Sequence, residues 1–108
     1  MGMNSEYVEI EPARAAVDAL EGPVLIEFGA PWCGHCRAVQ PWLAGVMDGF
    51  PAIRHLKIED GPGRPLGRSF HVKLWPTLVL LKQGVETGRL VRPADEQQIR
   101  SLLLQSIE

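Results

Sequence analysis

Two cysteines separated by two residues are the part of this chain best suited to chemistry. Cys33 and Cys36 are the only cysteines among its 108 residues. An apolar run typical of a buried strand precedes them, and residues with helical spacing follow. If the helix begins near Cys33, its free N–H groups and its dipole favour the thiolate of that residue. Cys36 then lies one turn further on, close enough to form a disulfide with Cys33. The pattern therefore predicts redox chemistry.

Three other uses of the cysteine pair have to be weighed against redox chemistry. A structural disulfide that closes so small a ring would stabilise the fold only weakly, since it removes little entropy from the unfolded chain. A zinc site needs more ligands, and the chain has no second cysteine pair and no histidine pair at ligand spacing. Buried inert thiols fit poorly beside Gly34 and His35 at a turn. A dithiol–disulfide pair is the favoured interpretation, and no metal is expected.

Composition and charge predict a single ordinary globular domain. The chain is 45% hydrophobic and 22% charged, and its formal net charge is -2. This balance gives no reason to expect nucleic acid or an anionic membrane as a partner. The first six residues have no basic region and no apolar core, so we expect no signal peptide and a cytoplasmic protein. We predict residues 1–6 to be disordered or vector-derived, and residues 7–108 to form one monomeric domain.

The hydrophobic pattern predicts helices and strands in near alternation. We expect, in order, a weak edge strand at 7–10, a helix at 12–20, a strand at 24–28, a helix at 33–49, a strand at 53–58, a short helix at 65–70, strands at 77–81 and 85–91, and a final helix from residue 93 with an apolar stripe of Ile99, Leu102, Leu103 and Ile107. Parallel strands need right-handed crossovers, and the closing hairpin supplies antiparallel strands. The fold class is therefore α/β, a three-layer α/β/α sandwich with a mixed central sheet.

Several motifs of the chain match those of one known family. Glu27-Phe28, Trp32-Cys33-Gly34-His35-Cys36, Pro41 and Trp75-Pro76-Thr77 together resemble the thioredoxin family. The stretch from Phe28 to Cys36 is close to the active-site stretch of protein disulfide isomerase domains. The similarity runs from about Val8 to Ile107. It implies the thioredoxin-like fold and a thiol–disulfide oxidoreductase whose only redox group is the Cys33–Cys36 disulfide, without another cofactor.

The resemblance implies a role for each site residue in turn. Cys33 resembles the exposed nucleophile and Cys36 the buried resolving thiol. Pro76 matches a cis-proline that faces the disulfide, Glu27 matches a buried acid behind the cysteines, and Lys57 falls where the family often has a cation near that acid. Residues expected to contact substrate are Trp32, Gly34, Trp75, Pro76, Val91 and Arg92.

Physical chemistry adds expectations for the titratable residues. Burial of Glu27 on an apolar strand should raise its pKa, which suits a base that deprotonates Cys36 near neutral pH. An isolated buried acid is also unfavourable, so replacing Glu27 by Ala should stabilise the fold. His35 lies two residues from Cys33 and should favour its thiolate when protonated. His55 and His71 are interpreted as ordinary surface or strand-end residues.

Departures from the family pattern bear on partner choice. Gly29 stands where many thioredoxins have an aromatic residue under the active site, and Arg92 replaces a glycine in the docking loop. A long cation at position 92 would narrow or change the set of protein partners. Lys73-Leu74-Trp75 also replaces the Arg-Gly-Ile that often precedes the proline.

The leading hypothesis is exchange of disulfides with protein substrates, with an unidentified reductase or dithiol as electron donor. A variant of it would reduce a small disulfide or a peroxide. An alternative of another class is a thioredoxin-like assembly chaperone or binding module whose cysteines are incidental. A dimer that binds iron–sulfur or zinc through two Cys-x-x-Cys pairs is a further possibility.

Overall fold

Four strands and four helices build the domain in the computed structural model, which describes residues 2–107. The elements are α1 (Arg14–Asp18), β1 (Pro23–Gly29), α2 (Gly34–Met47), β2 (Arg54–Glu59), α3 (Pro65–Ser69), β3 (Thr77–Lys82), β4 (Val85–Val91) and α4 (Glu96–Leu104), followed by a 3-10 turn at Gln105–Ile107. No helix within the described residues is long and apolar enough to cross a membrane.

The strands form one mixed sheet in the order β2-β1-β3-β4. β1 runs parallel to β2, while β3 is antiparallel to both β1 and β4. The central position of β1 explains its continuous apolar sequence, because both of its faces are covered by protein. The two faces carry two clusters of buried side chains. One packs against α2 and α4, and the other against α1 and α3. The predicted three-layer α/β/α sandwich is confirmed.

Alternation along β1 assigns its residues to the two faces. Leu25 joins the cluster under α2 and α4, whereas Val24, Ile26 and Phe28 join the opposite cluster. Since side chains two apart share a face, Glu27 lies on the same side as Leu25, toward α2. The only charged residue of β1 therefore lies under the helix that contains the cysteines.

The helices differ from the prediction mainly at their ends. α2 begins one residue later than expected because Cys33 is its N-cap, and it continues through Pro41 to Met47. Asp95 caps α4, and its side chain accepts a hydrogen bond from the backbone N–H of Gln98 at 3.0 Å. Ile107 was wrongly included in the apolar stripe. It is 74% exposed, because the chain leaves α-helical geometry before reaching it.

The N-terminal segment is the largest departure from the predicted elements. Residues 7–10 do not form a strand, and a single backbone hydrogen bond, from Val8 N–H to the carbonyl of Lys57 at 3.0 Å, joins them to β2. The segment before them was predicted to be disordered or vector-derived. Within it, Met3 packs against the core, and Asn4 is hydrogen-bonded to His55. Met1 lies outside the described residues.

Candidate active site

Three strand ends meet at the edge of the sheet where the cysteines lie. The register pairs Phe28, near the end of β1, with Thr77 at the start of β3, and it pairs Thr77 with Val91 at the end of β4. The loop after β1 leads into α2, and Pro76 directly precedes β3. The sheet therefore brings together segments that are more than forty residues apart in sequence.

The two cysteines are free thiols of unequal accessibility. Cys33 is 8% exposed and Cys36 is 1% exposed. The backbone N–H of Cys36 donates to the Sγ atom of Cys33 at 3.3 Å, so the sulfur of Cys33 caps the helix. Burial, together with the hydrogen bond to Cys33, raises the pKa of Cys36 to about 12. Cys36 is thus a neutral, shielded thiol behind a more accessible one.

Glu27 is completely buried and is surrounded by hydrogen-bond donors. Lys57 Nζ and Gln40 Nε2 both donate to Oε2 at 2.8 Å, and His55 Nε2 lies 3.0 Å from Oε1. Burial raises the pKa of Glu27, but the hydrogen bond from His55 and the charge and hydrogen bond of Lys57 outweigh it. The pKa is lowered overall, so the expectation of a raised value was wrong. The pKa prediction considered burial alone and left out the cation expected at Lys57, whereas the fold gives the carboxylate three hydrogen-bond partners.

His55 belongs to this cluster, so its interpretation as an ordinary surface or strand-end residue was wrong. It is 2% exposed. The backbone N–H of Asn4 donates to its Nδ1 atom at 2.7 Å, so Nδ1 has no proton and the ring donates to Glu27 through Nε2–H. The spacing of residues along β2 could have indicated this position of His55. His55 is two residues before Lys57 on β2, and residues two apart share a face. Any pairing of Lys57 with Glu27 therefore brings His55 to the same side.

Gln40 connects the buried carboxylate to the cysteine helix. Its Nε2 atom donates both to Glu27 and to the carbonyl of Cys36, the latter at 2.7 Å, while its Oε1 accepts from Lys57 Nζ at 2.9 Å. A cleft of about 380 Å³ opens beside this group, and Cys36, Gln40, Lys57 and Tyr7 are among the residues that line it. Gln40 was not among the predicted site residues, although it is one helical turn after Cys36.

Gly29 leaves space that Tyr7 occupies. A β-carbon added at Gly29 would lie 2.6 Å from Cys36 Sγ and 3.2 Å from the Tyr7 hydroxyl oxygen. Burial and then the charge of Glu27 raise the pKa of Tyr7, so the hydroxyl stays protonated. Lys57 Nζ lies 4.7 Å from the centre of the Tyr7 ring. The N-terminal segment thus supplies an aromatic residue beside Cys36, where β1 has only glycine.

An exposed aromatic surface lies on the other side of the cysteines. Trp32 is 69% exposed, and its ring lies edge-on to Trp75 with the ring centres 5.2 Å apart. Trp75 Nε1 donates to Asp60 Oδ2 at 2.8 Å, which fixes the orientation of the indole. The Trp75–Pro76 peptide bond is cis. Trp75 also packs against the small buried cluster that contains Cys33 and Cys36.

The remaining predicted site residues lie around this surface. Gly34 and His35 form the exposed first turn of α2, and Val91 is 44% exposed at the end of β4. Arg92 donates through Nε to the carbonyl of Trp75 at 2.8 Å. The predicted residues therefore fall into two groups. One lies around Cys33 and ranges from exposed Trp32 to buried Pro76, and the other is the buried pair of Glu27 and Lys57 behind Cys36. Among residues 2–107, no group of three or more His, Cys, Asp or Glu side chains is arranged to hold a metal ion.

The fold and the paired thiols define a thiol–disulfide oxidoreductase. The thioredoxin family model matches residues 7–105. The chain belongs to the thioredoxin family, and Cys33 and Cys36 occupy the active-site position of that family.

Individual relatives agree with this assignment. The structure of thioredoxin 2 from Pseudomonas aeruginosa PAO1 in its reduced form is 50% identical, superposes with a TM-score of 0.87 and shares 97% of each chain. A thioredoxin of Chlamydia trachomatis is 36% identical over 83 residues, which cover 76% of this chain and 80% of the relative. Thioredoxin-2 of Pyricularia oryzae is 35% identical over 68 residues, and this match spans 40% of the fungal protein.

Proposed function

We propose that this protein exchanges its Cys33–Cys36 dithiol with disulfides of protein substrates, with Cys33 as the attacking thiol. The observation that supports the proposal most directly is the inequality of the two thiols. Cys33 is the more accessible one and lies beside the exposed Trp32, whereas Cys36 is shielded and has a raised pKa. Thiol–disulfide exchange needs one thiolate that reaches the substrate and a second thiol that waits inside.

The exchange proceeds in two steps, formation of a mixed disulfide and its resolution by Cys36. The thiolate of Cys33 attacks one sulfur of the substrate, which breaks the substrate disulfide, forms a mixed disulfide and releases a thiolate that takes a proton from water. The Cys36 sulfur then attacks Cys33 Sγ, so the Cys33–Cys36 disulfide forms and the second substrate sulfur leaves with the proton that Cys36 gives up. Two electrons pass from the protein to the substrate.

Glu27 has a positioning role in this proposal rather than the role of a base. A carboxylate that already accepts from Lys57, Gln40 and His55 is a poor proton acceptor. Its negative charge also helps to raise the pKa of Cys36, which keeps the resolving thiol protonated until the mixed disulfide has formed. Through Gln40 it holds the backbone of Cys36 in place.

The proposal extends to partners and compartment. Substrates are protein disulfides that dock on the surface of Trp32, Trp75, Pro76 and Val91, and an external dithiol or reductase restores the dithiol. Both cysteines of the chain belong to the redox pair, so none remains for the structural disulfides common in oxidising compartments. We therefore propose that the protein acts in the cytosol. We further propose that it is a monomer and that the Cys33–Cys36 pair is its only redox group.

Variants of the two cysteines test the proposal. The parent should accelerate reduction of insulin disulfides by dithiothreitol, and Cys33→Ser should abolish this acceleration. Cys36→Ser should instead accumulate mixed disulfides with substrate through Cys33, because the resolving step is lost. The Cys33→Ser/Cys36→Ser double variant is the matched control and should trap nothing. A binding module with incidental cysteines would bind its partner equally well in all four proteins and would not accelerate reduction.

A further inference from the structure

Arg92 has a backbone conformation that few residues of its type adopt. Its φ angle is 48°, in the left-handed region that favours glycine. Its backbone N–H donates to the carbonyl of Pro76 at 2.9 Å, and its side-chain Nε donates to the carbonyl of Trp75 at 2.8 Å. Trp75 in turn packs against the cluster of Cys33 and Cys36. An arginine held in this unfavourable conformation and hydrogen-bonded to such a residue indicates a function for its side chain.

Arg92 also lines a small cleft of about 230 Å³ on the substrate side of the molecule. The other lining residues include His35 at the start of α2 together with the apolar side chains of Val39, Trp42 and Pro76. Among the described residues, no acidic side chain lines the cleft. Within residues 2–107, no carboxylate lies within ion-pairing distance of Arg92. The guanidinium group therefore has no counter-charge in the described part of the chain.

The hydrogen bond to Trp75 bears on how substrates dock. An extended substrate segment pairs with backbone groups near the cysteines. The carbonyl of Trp75 is a candidate acceptor, because Trp75 packs against the cluster of Cys33 and Cys36. Arg92 Nε already occupies this acceptor. A carboxylate on the substrate would attract the guanidinium group into a two-point hydrogen-bonded pair and would leave the Trp75 carbonyl to the substrate backbone. A neutral substrate has no group with which to draw Arg92 away.

We propose that Arg92 selects protein substrates that carry an aspartate or glutamate next to the cysteine under attack. The inference rests on the proposed exchange of protein disulfides and adds a substrate class to it. His35, two residues after Cys33, lines the same cleft as Arg92. Neighbouring residues of an extended segment lie about 3.3 Å apart, so a side chain next to the target cysteine lies on the side of the cleft.

Peptide disulfides that differ at one position test the selection. Three peptides carry Glu, Gln or Lys next to the same cysteine, and the second-order rate constant of mixed-disulfide formation is measured with Cys36→Ser as the background. With Arg92 unchanged, the rate constant for the Glu peptide should exceed that for the Gln peptide by about fivefold, as one partly exposed charged pair allows. This ratio should fall at high salt. The Lys peptide should react most slowly.

Two variants of Arg92 separate its charge from its hydrogen bond. Arg92→Gln should make the rate constants for the Glu and Gln peptides about equal. Arg92→Gly should also abolish the preference for Glu, and should raise the rate with the Gln peptide because the Trp75 carbonyl becomes free. Arg54→Gln is the matched control. It makes the same charge change at an exposed position that pairs with Val24 at the opposite end of β1, and it should keep the preference.

Each outcome bears on either the selection or the underlying function. Equal rates for the Glu and Gln peptides would overturn the selection while leaving the proposed exchange intact. Loss of the preference in Arg54→Gln to the same degree as in Arg92→Gln would also overturn it, since net charge would then be the cause. If the Cys36→Ser protein with Arg92 unchanged formed mixed disulfides with none of the three peptides, the proposed function itself would be refuted.

Discussion

Removal of the Glu27 carboxylate should destabilise the fold, contrary to the expectation for an isolated buried acid. Three donors, from Lys57, Gln40 and His55, lose their acceptor together. The Lys57 side chain is only 5% exposed and would keep Gln40 Oε1 as its hydrogen-bond acceptor. Breaking a buried ion pair from one side costs roughly 3–5 kcal/mol.

The structure places the expected loss at the lower end of this range. Lys57 lines the cleft beside Cys36, so its ammonium group can move toward water after Glu27→Leu. We therefore expect a loss of about 3 kcal/mol, which corresponds to a melting temperature lower by about 12 °C or more for a domain of this size. Such a loss is a large fraction of the roughly 5–15 kcal/mol that stabilises a typical domain.

Guanidinium denaturation of a double-mutant cycle measures this effect. Glu27→Leu and Lys57→Met are made singly and together, and the free energy of unfolding is compared at pH 7. The double variant should regain most of the stability that the single variants lose, because no uncompensated charge remains. If Glu27→Leu unfolded at the same or a higher denaturant concentration than the parent, the reasoning from the ion pair would be refuted.

The pH dependence provides an independent check on the same cluster. The pKa of Glu27 is lowered below its usual value of 4.5 in the folded protein. Its contribution to stability is therefore present above pH 4.5 and is lost as the pH falls through the lower folded value. The stability difference between the parent and Glu27→Leu should be constant near neutral pH and should shrink in acid. A difference that grew below pH 4.5 would contradict the sign of the shift.

Two further predictions concern the cysteines directly. Gly29→Ala should slow substrate turnover at least tenfold in the insulin assay, because the added methyl group would lie 2.6 Å from Cys36 Sγ and displace it; unchanged turnover would mean that Cys36 has room to move. His35→Pro should lower the redox potential from a value between roughly -270 and -180 mV toward the thioredoxin end, as equilibration with glutathione measures, because the imidazole two residues from Cys33 is removed. An unchanged potential would exclude His35 as the group that sets it.

Much of the fold was predictable because local patterns and packing agree. The apolar run of β1 requires burial on both faces, and the turn at Gln83-Gly84 joins β3 to β4 as a hairpin. The Cys-x-x-Cys spacing at a helix start predicted a redox pair without any knowledge of the tertiary structure. These features depend on interactions between residues that are close in sequence.

What sequence could not decide is the environment of each titratable group. The pKa of Glu27 depends on Lys57, His55 and Gln40, which lie 13 to 30 residues away and are brought together by the pairing of β1 with β2 and by the packing of α2 on the sheet. Burial alone raises the pKa of a carboxyl group. A prediction that considers burial and omits these hydrogen bonds therefore gives the wrong direction for the pKa shift of Glu27.

The sequence by itself therefore determined which residues perform the redox chemistry, whereas the tertiary structure decided how their surroundings act on them. Cys33 and Cys36 owe their roles to spacing along one helix. The contact of Tyr7 with the Gly29 region and the hydrogen bond from Arg92 to Trp75 join residues that are 22 and 17 positions apart. Such contacts depend on the relative placement of whole elements, which periodicity and composition do not specify.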